Sequence, residues 1–178
     1  MLIAVDIGNS HIVVAVHSGK EWIHSFRIHS DQKKTTDEYF VVLEALMNNA
    51  KISRQDITKA VISSVVPNLT RAIAKNIYNL FSIQPLMVSH SVNTNLIRET
   101  IPKELGMDLL ANVAQAHYVH PDRCVMVIDF GTALTFSTVN GEGAVLGVSI
   151  APGLVTAVNS LFGATAQLPQ VELKTPPS

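Results

Sequence analysis

Apolar residues fall in short blocks along most of the chain, and each block is closed by a turn signal. The opening reads MLIAVDIGNSHIVVAV: residues 2–7 form one block, Gly8-Asn9-Ser10 a turn, and residues 12–17 a second block. Blocks of this length, rich in Val and Ile and separated by Gly and Asn, predict buried strands. Ser18-Gly19-Lys20 is another turn signal, and residues 22–28 alternate apolar and polar as a third strand. The period then changes. Tyr39, Val42, Leu43, Leu46 and Met47 recur with helical spacing behind Thr36-Asp37-Glu38, a helix start. Residues 59–66 predict a strand stopped by Pro67, and Leu69, Ile73, Ile77 and Leu80 a helix after it. A short strand at 85–88, a polar loop at 89–102 and a helix at 104–118 follow.

The opening pattern then returns. Strands are expected at 124–129, 134–139 and 144–150, with Ala151-Pro152-Gly153 as the break before a helix at 154–162. In both places an aspartate ends the first strand, Asp6 in VDIGNS and Asp129 in IDFGTA, and a glycine stands two residues later. A three-strand meander repeated in the same local frame predicts a duplicated α/β architecture with mixed sheets on either side of a cleft. The expected division is 1–115 for the first half and 116–178 for the second. The second half has a meander and one helix but not the later elements of the first, and it ends in the loop-like Lys174-Thr175-Pro176-Pro177-Ser178.

Composition narrows the class. With 178 residues and 47% hydrophobic content, the chain has material for a substantial core. A net charge of −1 without a basic block gives no electrostatic reason to expect a nucleic-acid partner. No run approaches the roughly 20 apolar residues of a membrane span. The start meets an acid at position 6 without a basic region before it, so a signal peptide is not expected. The single cysteine, Cys124, sits in an apolar run; a buried thiol in a reducing cytoplasm is the expectation.

The turns suggest chemistry. Gly8 has no β-carbon, so backbone N–H groups there can approach an anion, with Asn9 and Ser10 adding side-chain donors. Asp6 beside such a loop would repel a bare phosphate, which calls for a cation between them. Mg²⁺ suits that place, being held by one or two carboxylates plus substrate phosphates. Asp-x-Gly is also an ordinary hairpin turn. Asp108, in LGMDLLANVAQAHY, shares a predicted helix face with Asn112. It suits a general base, and equally an ordinary first-turn acid favoured by the helix dipole. His117 and His120 have a metal-ligand spacing but no further ligand nearby, and are expected at the surface, as are His11, His17, His24 and His29. No G-x-x-x-x-G-K-[ST] loop is present.

The paired Asp-x-Gly turns resemble the phosphate loops of the acetate and sugar kinase, Hsp70 and actin superfamily. Within it, VDIGNS, TTDEY at 35–39, VISSVVP at 61–67, ELGMD at 104–108, IDFGTALT at 128–135, IAPGL at 150–154 and the terminal LPQVELKTPPS resemble, in order, the type III pantothenate kinase family. The resemblance implies duplicated RNase H-like (actin-like ATPase) domains flanking a nucleotide cleft, with the second incomplete relative to the family. It implies ATP-dependent phosphorylation of pantothenate at the start of coenzyme A synthesis, with Mg²⁺ and a monovalent cation (K⁺ or NH₄⁺), in a cytoplasmic homodimer. By the same resemblance Asp6 serves Mg²⁺ and phosphate, Gly8, Asn9 and Ser10 form the first phosphate loop, and Gly131 and Thr132 the second. Asp129 holds the monovalent cation, Gly106 borders the pantothenate pocket and Asp108 is the catalytic base. Two positions depart from the family pattern. Leu109 stands where an arginine is usual, on the substrate side of the base, and SHSVNTNLI at 89–97 replaces a Gly-rich, lysine-containing loop. These departures support an alternative: a non-catalytic accessory or regulatory homologue that keeps the nucleotide cleft.

Overall fold

A computed structural model describes residues 1–164. The stretch LPQVELKTPPS lies outside the described residues. Eight strands and four α-helices follow in the order β1 (Leu2–Ile7), β2 (His11–His17), β3 (Trp22–His29), α1 (Thr36–Asn49), β4 (Lys59–Ser64), α2 (Pro67–Phe81), β5 (Leu86–Met87), α3 (Met107–Val119), β6 (Val125–Phe130), β7 (Ala133–Val139), β8 (Val145–Pro152) and α4 (Leu154–Ala164). A short 3₁₀ turn covers Arg98–Thr100. The chain divides into two compact units, Met1–Thr94 with Lys103–Ala111 and Asn95–Pro102 with Asn112–Ser178, so the boundary falls inside α3.

The first unit is built on a five-stranded sheet of order β3-β2-β1-β4-β5. β1 pairs antiparallel with β2 and parallel with β4, which makes the sheet mixed. Period-two alternation sorts its residues. Ile3, Val5 and Ile7 of β1 and Ile12, Val14 and Val16 of β2 face one side, where they cluster with Tyr39 and Leu43 of α1 and Ile73 and Ile77 of α2. Ala4, Asp6, Val13 and Ala15 face the other side.

Local chemistry explains the helix starts. Thr35 caps α1 through a capping box: its hydroxyl accepts from the Glu38 N–H at 3.3 Å, and Glu38 accepts from the Thr35 N–H at 2.7 Å. Tyr39, fully buried, uses its hydroxyl to accept from the Asp31 N–H at 2.8 Å and to donate to the Asp31 carbonyl at 3.0 Å. Pro67 begins α2, where its missing N–H costs nothing. α3 starts at Met107, three residues later than its apolar spacing predicts; the Gly106 carbonyl accepts the first helical bond, from Leu110 at 2.9 Å.

The second unit carries an antiparallel sheet, β6-β7-β8. Mixed pairing is therefore confined to the first unit among the described residues. On β6 the alternation is inverted in outcome: Met126, Ile128 and Phe130 hold the positions of Ile3, Val5 and Ile7 in the repeated frame, yet Phe130 is 70% exposed.

Three side-chain expectations are corrected. Cys124 is exposed, because it precedes β6 rather than lying within it. His117 is buried, since α3 turns Val113 and His117 to one face, and its Nδ1 has no hydrogen-bond partner; His120 is exposed. His24 lies opposite Val16 on the core side of β3, half-buried and stacked on Phe26 with ring centroids 5.9 Å apart. His11 and His29 are exposed, and His17 is half-buried against Trp22.

Candidate active-site residues

Asp6, the last residue but one of β1, lies on the face opposite the core, with Ser63 of β4 and Val13 of β2 beside it in register. The carboxylate at the end of a buried strand is thus exposed, while Ile7 next to it is fully buried. The following turn is closed by the Gly8 N–H donating to the His11 carbonyl at 2.9 Å. Asn9 is exposed and Ser10 half-buried at its tip, and the Ser10 carbonyl accepts from the Ser30 N–H at 2.9 Å, which ties the tip to the end of β3. On this face an open cavity of about 240 Å³ is lined by Ala4, Asp6, Val13, Ala15, Ser63 and Ala111, among others. The Ser63 hydroxyl is buried without a partner.

Asp108 is the second residue of α3 and is half-buried. Its Oδ1 accepts from the Leu109 N–H at 2.8 Å. A β-carbon on Gly106 would collide with that same Oδ1, and would lie 3.6 Å from Val65 in the VISSVVP stretch. Glycine is needed here for space, not for a left-handed backbone. Ala111, one helical turn after Asp108, reaches the wall of the cavity that Asp6 lines. Leu109 points into packed protein and is 7% exposed.

In the second unit, Asp129, the last residue but one of β6, is half-buried directly across from Thr135 of β7. The Thr135 hydroxyl is buried and lacks a partner. The turn differs from its counterpart. Ile7 pairs with Ile12 across the first hairpin, but Phe130 pairs with Leu134 across the second, so the second turn is one residue shorter. It is closed by the Gly131 N–H donating to the Ala133 carbonyl at 3.0 Å, with Gly131 and Thr132 exposed.

An exposed carboxylate at Asp6 beside an unpartnered hydroxyl fits a hard divalent cation that keeps water and phosphate ligands. Asp129 with the orphaned Thr135 oxygen fits an oxygen-liganded cation. Among the described residues, no group of three or more His, Cys, Asp and Glu side chains is placed to hold a metal by itself.

Thr156 carries no signal in the sequence, and Gly153 is legible there only as a strand breaker and as part of IAPGL, with no role attached to it. The Thr132 carbonyl accepts from the Gly153 N–H and from the Thr156 hydroxyl, both at 3.0 Å. The signal was the glycine following a proline at the end of a strand, but its partner is distant in sequence.

The model of the family described as type III pantothenate kinase matches residues 2–178. The chain is 38% identical over 179 residues to a type III pantothenate kinase of Geotalea daltonii, covering 100% of this chain and 70% of the relative. It is 42% identical over 184 residues to the type III pantothenate kinase of Treponema pallidum, covering 99% of this chain and 67% of the relative. Its fold is similar to the crystal structure of a Campylobacter jejuni protein assigned to the Baf family of transcriptional activators, with a TM-score of 0.54, 21% identity, and coverage of 99% of this chain and 68% of that one. The motif order, the helix-start aspartate beside its glycine and the match through residues 2–178 agree: the chain belongs to the type III pantothenate kinase family.

Proposed function

We propose that the chain phosphorylates pantothenate with ATP to give 4′-phosphopantothenate, the entry step of coenzyme A biosynthesis. The observation that carries this reading is the family match over residues 2–178. The local geometry supports the assignment of roles.

Asp108 is the general base. It takes the proton from the primary hydroxyl of pantothenate as that oxygen bonds to the γ-phosphorus of ATP and the bond to the ADP oxygen breaks. Gly106 leaves the space that Oδ1 of Asp108 occupies, and the Leu109 N–H, donating to that oxygen at 2.8 Å, holds the carboxylate there. Gly8, Asn9 and Ser10 form one phosphate loop, and Gly131 and Thr132 the other; N–H groups and side-chain donors in them meet the phosphate oxygens. Asp6 would hold Mg²⁺ and Asp129 a monovalent cation, K⁺ or NH₄⁺; bound there, they would supply positive charge beside the phosphates. Leu109 contributes packing near the base, where it supplies no charge to the substrate. The two halves at 1–115 and 116–178 are the functional domains, and the working form is a cytoplasmic homodimer.

The test is pantothenate-dependent ADP release by the full chain with Mg²⁺ and K⁺. Turnover that falls by about 10²–10⁴ in Asp108→Asn is the expected result. ATP binding without turnover would overturn it and favour the second reading, a nucleotide-binding homologue without transfer activity. Burial of Leu109, in place of an exposed cationic side chain, is the observation on that side.

A further inference from the structure

We propose that Gly153 and Thr156 are positioning residues that clamp the Gly131-Thr132 turn and aim its N–H groups at the nucleotide phosphates. The inference rests on the reading of that turn as a phosphate loop.

Three observations carry it. First, the Thr132 carbonyl receives two hydrogen bonds, from the Gly153 N–H and the Thr156 hydroxyl, both at 3.0 Å. The two donors come from the end of β8 and the first turn of α4, and α4 is itself tied to this place by the Ala157 N–H donating to the Gly153 carbonyl at 2.8 Å. Second, Gly153 is buried and has no room for a side chain. A β-carbon there would collide with the Gly131 carbonyl oxygen and lie 2.6 Å from the Thr132 carbonyl oxygen. Both obstacles are backbone, so no side-chain rotation relieves them. Its φ is not positive, so close approach alone demands the glycine.

Third, the direction of the carbonyls sets the direction of the donors. The Gly131 and Thr132 oxygens are the atoms nearest to the β-carbon position of Gly153, so both carbonyls are turned toward it. In a planar trans peptide the N–H of the next residue points the opposite way. The N–H groups of Thr132 and Ala133 are therefore turned away from Gly153, side by side on the other flank of the turn. Two neighbouring N–H groups on one side make a concave anion-binding site. This turn is one residue shorter than the Gly8 turn and, like it, is closed by one internal backbone bond; the clamp from β8 and α4 adds restraint from outside.

The experiment compares the full chain with Thr156→Val, Thr156→Ser and Gly153→Ala. ATP binding with Mg²⁺ is measured by titration calorimetry, KM for ATP and for pantothenate by steady-state kinetics, and amide exchange in a peptide covering 130–134 by mass spectrometry. In Thr156→Val we expect ATP affinity to fall about three- to tenfold, the effect of one lost hydrogen bond. KM for pantothenate stays unchanged, exchange at 130–134 accelerates, and Thr156→Ser restores all three. Gly153→Ala loses more; should it not fold, the Thr156 pair still decides. Unchanged ATP binding in Thr156→Val overturns the clamp while leaving the kinase reading intact. Weaker ATP binding in Thr156→Val, in a chain that never turns over pantothenate, upholds the clamp and overturns the kinase reading. A chain that binds no ATP overturns both.

Discussion

Gly106 leaves empty the space that Oδ1 of Asp108 fills, so the direction of the carboxylate depends on a missing side chain two residues earlier. The obstacle to a methyl group there is the end of a side chain, which can rotate, rather than backbone. Gly106→Ala should therefore fold and displace the carboxylate. The expected outcome is a fall in kcat of about tenfold or more, since small misplacements of a catalytic group cost that much, with a near-native circular dichroism spectrum. An unchanged kcat would remove Asp108 from the role of base in its present orientation.

Leu109 tests the departure from the family pattern. It is buried in packed protein, so Leu109→Arg forces a guanidinium into an apolar site. A loss of about 2 kcal/mol or more in stability is expected, with no gain in turnover. Urea denaturation and the ADP-release assay read the two separately. A gain in kcat at unchanged stability would show instead that the site opens readily and that leucine impairs the enzyme.

Tyr39 belongs to the TTDEY motif, yet its hydroxyl serves the loop that leads into α1. Tyr39→Phe leaves the Asp31 N–H without its acceptor and should cost about 1–3 kcal/mol. KM for ATP and for pantothenate should not change. A selective rise in either would give this motif a role in binding rather than in folding.

Glu38 links stability to pH. The Thr35 N–H first, and then the Thr35 hydroxyl, hold its carboxyl below the ordinary value of 4.5. A group whose pKa is depressed by folding stabilises the fold fully above its unfolded value, and that contribution disappears as pH falls through the folded value. The stability difference between the native chain and Glu38→Gln should therefore be constant at neutral pH and shrink below pH 4.5. A difference that grows on acidification would contradict the capping box as the source.

Cys124 is exposed at the entrance to β6. A disulfide-exchange reagent should titrate one thiol in the folded chain without denaturant. Reaction only after unfolding would place the side chain inside, as its apolar neighbours in sequence suggest.

Much of the element order was legible because period-two and period-3.6 alternation are local properties. β1 to β3, α1 and α2 lie within a residue or two of where the pattern puts them, and the Asp6 and Asp129 turns are readable from Asp-x-Gly alone. Errors came where a residue's neighbours are distant in sequence. Cys124 and His117 exchanged their expected environments, one outside and one inside, because burial depends on what packs across the chain. His24 is a different case: it shares the phase of Phe26 and Ile28 in an alternating strand, so period-two spacing itself places it on the core side opposite Val16, and only its polar chemistry argued for the surface.

The sequence by itself determined the repeated meander, the positions of Asp6, Asp108 and Asp129, and the family, since each is written in short contiguous motifs. Tertiary structure alone decided why Gly153 must be glycine and which oxygen the space beside Gly106 accommodates. It also showed that the two Asp-x-Gly turns differ in length, and that Thr132 is held by residues of β8 and α4. The physical reason is steric and directional. A glycine required by close approach, or a carbonyl aimed by a distant donor, leaves no periodic trace in the chain, because the partner that imposes it is set by folding rather than by spacing.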